Sequence, residues 1–437
     1  MTLHQTLPDD LRAALSAGVE AGFDRQIALT REMVGHASQR GQEAGVQALL
    51  FAELEGRGLD MARVPPNRQA LAAHPGAGKW SDAHSTVPVV IGTHQPREET
   101  GRSLILQGHV DVVPTGPEAL WSSPPYAAEI RDGRIYGRGA GDMKSGLACA
   151  IAALDALRAC GWQPAARVHL ASVVEEESTG NGAMMMHLAG YRADAALIPE
   201  PTGESLVRAN TGVIWFRVEF SGIPCHVSRM GEGENAIDAA IRTIEAMRGL
   251  ERIWNDRRHE HPLFAGLAKP VNLNVGRIEG GEWASSVPAT AAVDFRISLL
   301  PGWSAAQCAA EIERHLRDFA EADPYLSQNP PRLVWNGFMA EGYALEEGSA
   351  AETVLSRAHA ATTGQSLPSH VMPAYLDARV NVLYEQIPAL NYGPVAGVLH
   401  GIDEWVEIAS LRRVTLAIAL FIAEWCGLEP AEALRTG

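Results

Sequence analysis

The chain has 437 residues, 46% hydrophobic and 20% charged, a globular composition with apolar material for two or three domains. Lys and Arg number 36 against 52 Asp and Glu, and the resulting net charge of −16 repels phosphate backbones and anionic lipid. No nucleic-acid partner and no membrane association is therefore expected. The longest apolar stretch, 414–426, is too short to span a bilayer, and MTLHQTLPDDLRAAL lacks the basic-then-apolar layout of a signal peptide. Five scattered cysteines without a CxxC pair read as free thiols in a reducing compartment, so the expected location is cytoplasmic.

In chain order, residues 9–35 carry an apolar helical face, and a second helix ends at Gly56 or Gly58. The runs 87–92, 103–108, 167–174 and 193–198 then read as buried strands, with helices predicted over 144–160 and 180–188. Alternation of this kind predicts an α/β fold with a mostly parallel sheet flanked by helices. The rhythm changes near residue 211. Strands at 212–220, 271–279, 288–299 and 331–337, with helices at 234–249 and 304–319, give the order β-α-β-β-α-β of a ferredoxin-like unit. The α/β character resumes after about 338 and closes with a helix at 410–426. The expected organisation is one α/β domain, 1–210 and 338–437, interrupted by an inserted domain at 211–337.

Several segments place chemically competent side chains where strands or turns end. LILQGHVDVVP brings His109 and Asp111 to the carboxyl edge of a strand, where open α/β sheets bind ligands. Residues two apart in extended chain point the same way, so the Asp111 carboxylate is positioned to orient His109. GRIYGRGAGDMKSG has neither dinucleotide nor Walker spacing, and it puts Asp142 at the mouth of a helix. VHLASVVEEESTGNG leaves a buried strand with Glu175, Glu176 and Glu177, whose mutual repulsion calls for a cation or for solvent. ALIPEPTG ends a strand at Glu200, and ALNYGPVAGVLHGIDEWV places His400 after a Gly-Pro turn and before an acidic helix start. Taken singly, each has a purely structural reading. Together, two imidazoles and three carboxylates suit a pair of zinc-class ions bridged by one carboxylate. No HExxH, GxSxG or catalytic Cys context competes, and the HEH at 259–261 lies in an Arg-rich linker.

Eight segments in order, GHVDVVP, GRGAGDMKSG, EEESTGNG, PEPTG, GIPCHVSRMGEGENAI, VPATAAVDFRI, DAR and LHGIDEWV, resemble the co-catalytic zinc hydrolases that include acetylornithine deacetylase, succinyl-diaminopimelate desuccinylase, glutamate carboxypeptidase and aminoacylase. The resemblance implies a metallopeptidase-type catalytic domain with an inserted lid that dimerises. It implies two divalent ions, Zn with Co or Mn as alternatives, one held by His109, Asp142 and Glu200 and the other by Asp142, Glu177 and His400. It makes Glu176 the general base and Asp111 a support for His109, with a one-residue slip to Glu175 left open. His226, in GIPCHVS, would reach the substrate from the partner's lid. Asp377 and Arg379 would lie at the substrate, Arg379 as a carboxylate clamp or as a structural ion pair. Trp283 would line the pocket or fill the lid core. The implied reaction is hydrolysis of an amide-type C–N bond in a small N-acylated amino acid or related amine. The alternatives are a dipeptidase or carboxypeptidase, or a catalytically inactive metal-stabilised binding protein. Departures are Leu376 where relatives often have threonine, and Ser285 and Ser286 where relatives often have asparagine.

Overall fold

Strands with both faces buried read as unbroken apolar runs, and the fold is organised around such strands. In the computed structural model, which describes residues 7–431, a six-stranded sheet runs in the order Asp60–Val64, Val89–His94, Val168–Val173, Leu104–His109, Ala195–Ile198, Ala389–Asn391. The first six residues, part of the stretch read for a signal peptide, lie outside the described residues. The last four strands of that order are mutually parallel, and the first two join antiparallel at one edge. Helices Asp9–Val34, Ser145–Ala159 and Ile408–Trp425 pack together, while Ala44–Glu55 and Asn181–Leu188 lie on the Val89–His94 strand. Among the described residues no helix is long and apolar enough to cross a membrane.

The segment 212–340 forms a four-stranded antiparallel sheet in the order Leu273–Gly280, Thr290–Leu299, Gly212–Ser221, Arg332–Ala340. Its helices, Ala236–Asp256 and Ala305–Ala322, bury one face, where Phe216, Val218, Val293, Phe295 and Ile297 alternate along the strands. The first helix runs past Gly249 to Asp256 because Trp254 and Leu250 remain on its buried face. Trp283 is 74% exposed, so it does not fill the core of this unit, and it is not on the wall of the cavity that holds Asp142 and His400.

Some elements escaped the sequence reading. Strand Asp60–Val64 alternates only weakly, and helix Ala350–Thr363 follows the plain capping signal of Ser349, whose hydroxyl accepts the Glu352 N–H, and ends at Gly364. A second small sheet joins Ala396–Gly397, Trp405–Glu407, Arg134–Tyr136 and Glu129–Arg131. His400 lies in the turn of that sheet and not ahead of a helix, since the next helix begins only at Ile408.

Close packing of helix on sheet edge is visible at Gly146, where a Cβ would lie 1.9 Å from the Pro199 carbonyl oxygen. Backbone must move to admit a methyl group there, and Pro199 immediately precedes Glu200. Gly146→Ala is expected to lower stability by about 1–3 kcal/mol, the usual range for overpacking. Urea denaturation checks this, and an unchanged midpoint would contradict the packing.

Candidate metal centre

His109 is the last residue of its strand, and its Nδ1 lies 2.9 Å from the Asp111 backbone carbonyl. A carbonyl only accepts, so Nδ1 carries a proton, and Nε2 is the nitrogen presented to the neighbouring carboxylates. That Nε2 is 3.0 Å from Asp142 Oδ1, 3.8 Å from Glu176 Oε2 and 3.9 Å from Glu200 Oε2. The other oxygen of Asp142 lies 3.4 Å from His400 Nε2, which is also 3.0 Å from Glu177 Oε1. One carboxylate thus stands between two imidazoles, an oxygen toward each. The ligand atoms of His109, Asp142 and Glu200 lie within 4.8 Å of one another, as do those of Asp142, Glu177 and His400, and those of His109, Glu176 and Glu177.

The electrostatics of this group are unbalanced without a cation. Burial pushes Glu176 and Glu200 well above the usual carboxylate range; His109 pulls both back, and the charges of Asp377 and Glu177 raise both further. Burial would lower His109, but Glu176, Asp142 and Glu200 reverse this and raise it well above its ordinary value. The Glu177 charge, joined by Asp142, lifts His400 to about 11. Asp142 stays low despite burial because both imidazoles hydrogen-bond it. Glu200 Oε1 is buried without a hydrogen-bond partner. Four carboxylates around two imidazoles form an oxygen-rich, partly nitrogen donor set, and divalent cations relieve both the repulsion and the unpartnered oxygen. The residues present therefore fit a metal centre.

The match of the chain to known proteins agrees with that chemistry. Residues 105–424 fit the model of peptidase family M20/M25/M40. The chain belongs to this family. It is 29% identical, over 95% of its length and 98% of the relative's, to N-formyl-4-amino-5-aminomethyl-2-methylpyrimidine deformylase of Halalkalibacterium halodurans. It is 26% identical to succinyl-diaminopimelate desuccinylase of Methylibium petroleiphilum, over 88% of this chain and 94% of the other. The solved structure of human carnosine dipeptidase 1 superposes with a TM-score of 0.75 at 16% identity, covering 96% of this chain and all of that one. The chain is accordingly a metal-dependent amidohydrolase of the M20 type, with an α/β metallopeptidase fold.

Around the M20 centre lies a shell of buried polar residues. The Asp111 carboxylate is 3.7 Å from His109 Nδ1, too far to orient it, and instead accepts the N–H groups of Glu176 at 3.3 Å and Glu177 at 3.0 Å. Asp111 supports His109 through its backbone and the glutamate turn through its side chain, which corrects the expected role. Burial raises its pKa to about 8. Glu175, with φ of 65°, turns away from the site; Arg40 holds both its oxygens at 2.6 and 2.8 Å, with Ser85 N–H and Thr179 hydroxyl each at 2.8 Å. Glu404 Oε1 accepts the N–H groups of Gly141 and Asp142, and Arg138 links Glu404 to the Gly401 carbonyl beside His400. Arg40, Arg138 and Glu404 had no sequence signal beyond their place near motif residues.

The expected substrate residues fare differently. Arg379 is fully buried, donates to the Gly76 carbonyl and the Tyr384 hydroxyl, and lies off the cavity wall, a placement that matches the structural one of its two expected roles. Asp377 lies behind Tyr375, accepting its hydroxyl at 2.8 Å and Gln107 Nε2 at 3.0 Å, and burial raises its pKa to about 6. His226 is exposed on the lid, its Nδ1 2.8 Å from Ser228 Oγ, and the single chain does not bring it to the metal ligands.

The Glu175–Arg40 pair separates a structural glutamate from its reactive neighbours. Removing one partner of a buried pair costs about 3–5 kcal/mol, so Glu175→Ala should lose stability on that scale. Thermal and urea melts check it, and a stability equal to wild type would return Glu175 to candidacy as the base.

Proposed function

We propose that this chain is a two-cation deacylase that releases the acyl group from a small N-acylated amino acid or related amine. The observation that carries the reading is Asp142 set between His109 and His400, each imidazole with its own glutamate beside it. In this reading His109, Asp142 and Glu200 hold one ion, and Asp142, Glu177 and His400 hold the other. Zn suits the mixed nitrogen and oxygen donors best, with Co or Mn as alternatives. When bound, such ions polarise a carbonyl oxygen and lower the pKa of water toward neutrality. Glu176 faces the same cage, with Oε2 3.8 Å from His109 Nε2. Its carboxylate receives the proton of the attacking water and returns it to the departing nitrogen. The named relatives, a deformylase and a desuccinylase, both remove an acyl group, which supports deacylation over the dipeptidase or carboxypeptidase alternative. The complete ligand set argues against an inactive binding protein. The free cysteines, three of them buried, support a reducing, cytoplasmic setting.

Active protein should contain two divalent ions per chain by elemental analysis, and chelation should abolish hydrolysis with the fold largely kept. Glu176→Gln should retain both ions and lose several orders of magnitude in rate, whereas Glu177→Gln should weaken one ion as well. Fewer than one ion per active chain would sink the reading.

His226 enters the reaction only if a second chain supplies it, and we place it in trans through lids paired in a homodimer. The exposed imidazole near Ser286 then donates to the oxyanion of the partner's site. Mixing inactive His226→Ala chains with inactive Glu176→Gln chains should restore activity, because one site of the mixed dimer regains both groups. Continued inactivity after proven subunit exchange would place His226 outside the reaction.

A further inference from the structure

A cavity of about 1070 Å³ separates the metal ligands from the open face of the inserted sheet. Its wall beside the glutamate turn is aromatic. Trp215 and Phe338 meet edge to face with ring centroids 5.2 Å apart, and Phe338 and Tyr375 lie 4.5 Å apart. These three residues, with Val213 and Ala340, form a small apolar cluster apart from both main cores. Phe338 and Tyr375 are buried, while the Trp215 indole remains partly exposed at the cavity.

The position of this wall is fixed by two close approaches. A Cβ on Gly337 would come 2.7 Å from the Trp215 ring and 3.0 Å from the Ser178 carbonyl oxygen. A Cβ on Gly180 would come 1.9 Å from the Tyr375 hydroxyl. The Tyr375 hydroxyl therefore rests against Gly180, and the Trp215 ring against Gly337, which itself meets the Ser178 carbonyl in the backbone that directly follows Glu176 and Glu177. Next to them, Asp294 takes the Arg217 guanidinium at 2.8 Å and the Asn336 amide N–H at 3.3 Å. That bond uses an amide N–H and leaves the Asn336 amide oxygen as an acceptor, on a residue that lines the same cavity.

We propose that the substrate carries a flat aromatic or heteroaromatic ring within a bond or two of the scissile amide, seated on Trp215, with a hydrogen-bonding ring edge toward Asn336 and Asp294. This rests on the deacylase reading and narrows it. An aliphatic chain fills such a slot poorly, whereas a ring gains both area and edge-to-face contact. The deformylase relative, whose named substrate is an aminopyrimidine, is consistent with a ring of this kind.

The test uses the metal-loaded full chain with N-formyl- and N-acetylbenzylamine, benzoyl methylamide, and the N-acyl butylamines as straight-chain aliphatic controls. At least one ring substrate should exceed the butyl amides in kcat/KM by about tenfold. The benzylamine and benzoyl arms tell whether the ring belongs to the amine or the acyl side. Trp215→Ala should collapse that ratio to within about threefold by raising KM for the ring substrate, and Trp215→Phe should restore most of it. Binding of benzylamine and benzoate against butylamine and butyrate by calorimetry separates the two readings. Ring-selective binding lost in Trp215→Ala, with no hydrolysis of any amide, would refute the deacylase and keep the ring site. Equal kcat/KM for ring and butyl amides, or equal binding of ring and butyl compounds where nothing is hydrolysed, would overturn the ring site.

Discussion

Buried carboxylates repel one another, and the architecture of this chain is the solution to gathering four of them around two imidazoles. Asp142, Glu176, Glu177 and Glu200 converge with His109 and His400, and among the described residues no Lys or Arg is ion-paired with them; Arg40, which lines the same cavity, is committed to Glu175. Bringing such charges together in a low-dielectric site is costly unless cations neutralise them. The fold must therefore hold the site open against repulsion before any cation arrives. A domain with a large independent core can do so.

The holding is done by backbone donors and by two buried Arg–Glu pairs, each outside the ligand set. Asp111 gathers the amides of Glu176 and Glu177, and Glu404 gathers those of Gly141 and Asp142. Arg138 then ties Glu404 to the His400 turn, and Arg40 pins Glu175 so that its two successors face the site. In this arrangement the carboxylates that bear structure are saturated with hydrogen bonds. Those assigned to chemistry are left with free oxygens, Glu200 Oε1 among them. That contrast, more than residue type, divides scaffold from reagent.

The ends of buried strands were the legible part of the sequence. His109 and Glu200 follow apolar runs whose length and β-branched content announce a strand, and the order of elements at 212–340 announces an antiparallel unit with two helices. The glutamate run was legible as a cluster, but its register was not, because only the left-handed backbone of Glu175 and a partner far away at Arg40 decide which side chain turns inward. Arg379 misled for the same reason. A charged residue near a motif has no local mark that says whether it meets solvent or, as here, a carbonyl at Gly76 far back in the chain. The aromatic wall comes from three separate segments, and no window of sequence contains it.

The separation of the two cores explains how one metal chemistry can be joined to a particular substrate. The inserted unit packs its own interior and joins the catalytic domain through two connections that run side by side, Asn210 paired with Tyr343 and Gly212 against Ala340. Its open sheet face, with Trp215, Asp294 and Asn336, forms one wall of the cavity, while the candidate ligands Asp142, Glu177, Glu200 and His400 stand on the other. Substitutions on that face change what the cavity holds without touching a ligand side chain. The exception is Gly337, where the inserted sheet meets the Ser178 carbonyl with no room for a side chain. At that contact the two walls of the cavity share backbone. In the proposed reading a ring seated on Trp215 is therefore held at a set distance from the turn that carries Glu176, and selectivity for a ring becomes placement of its neighbouring amide.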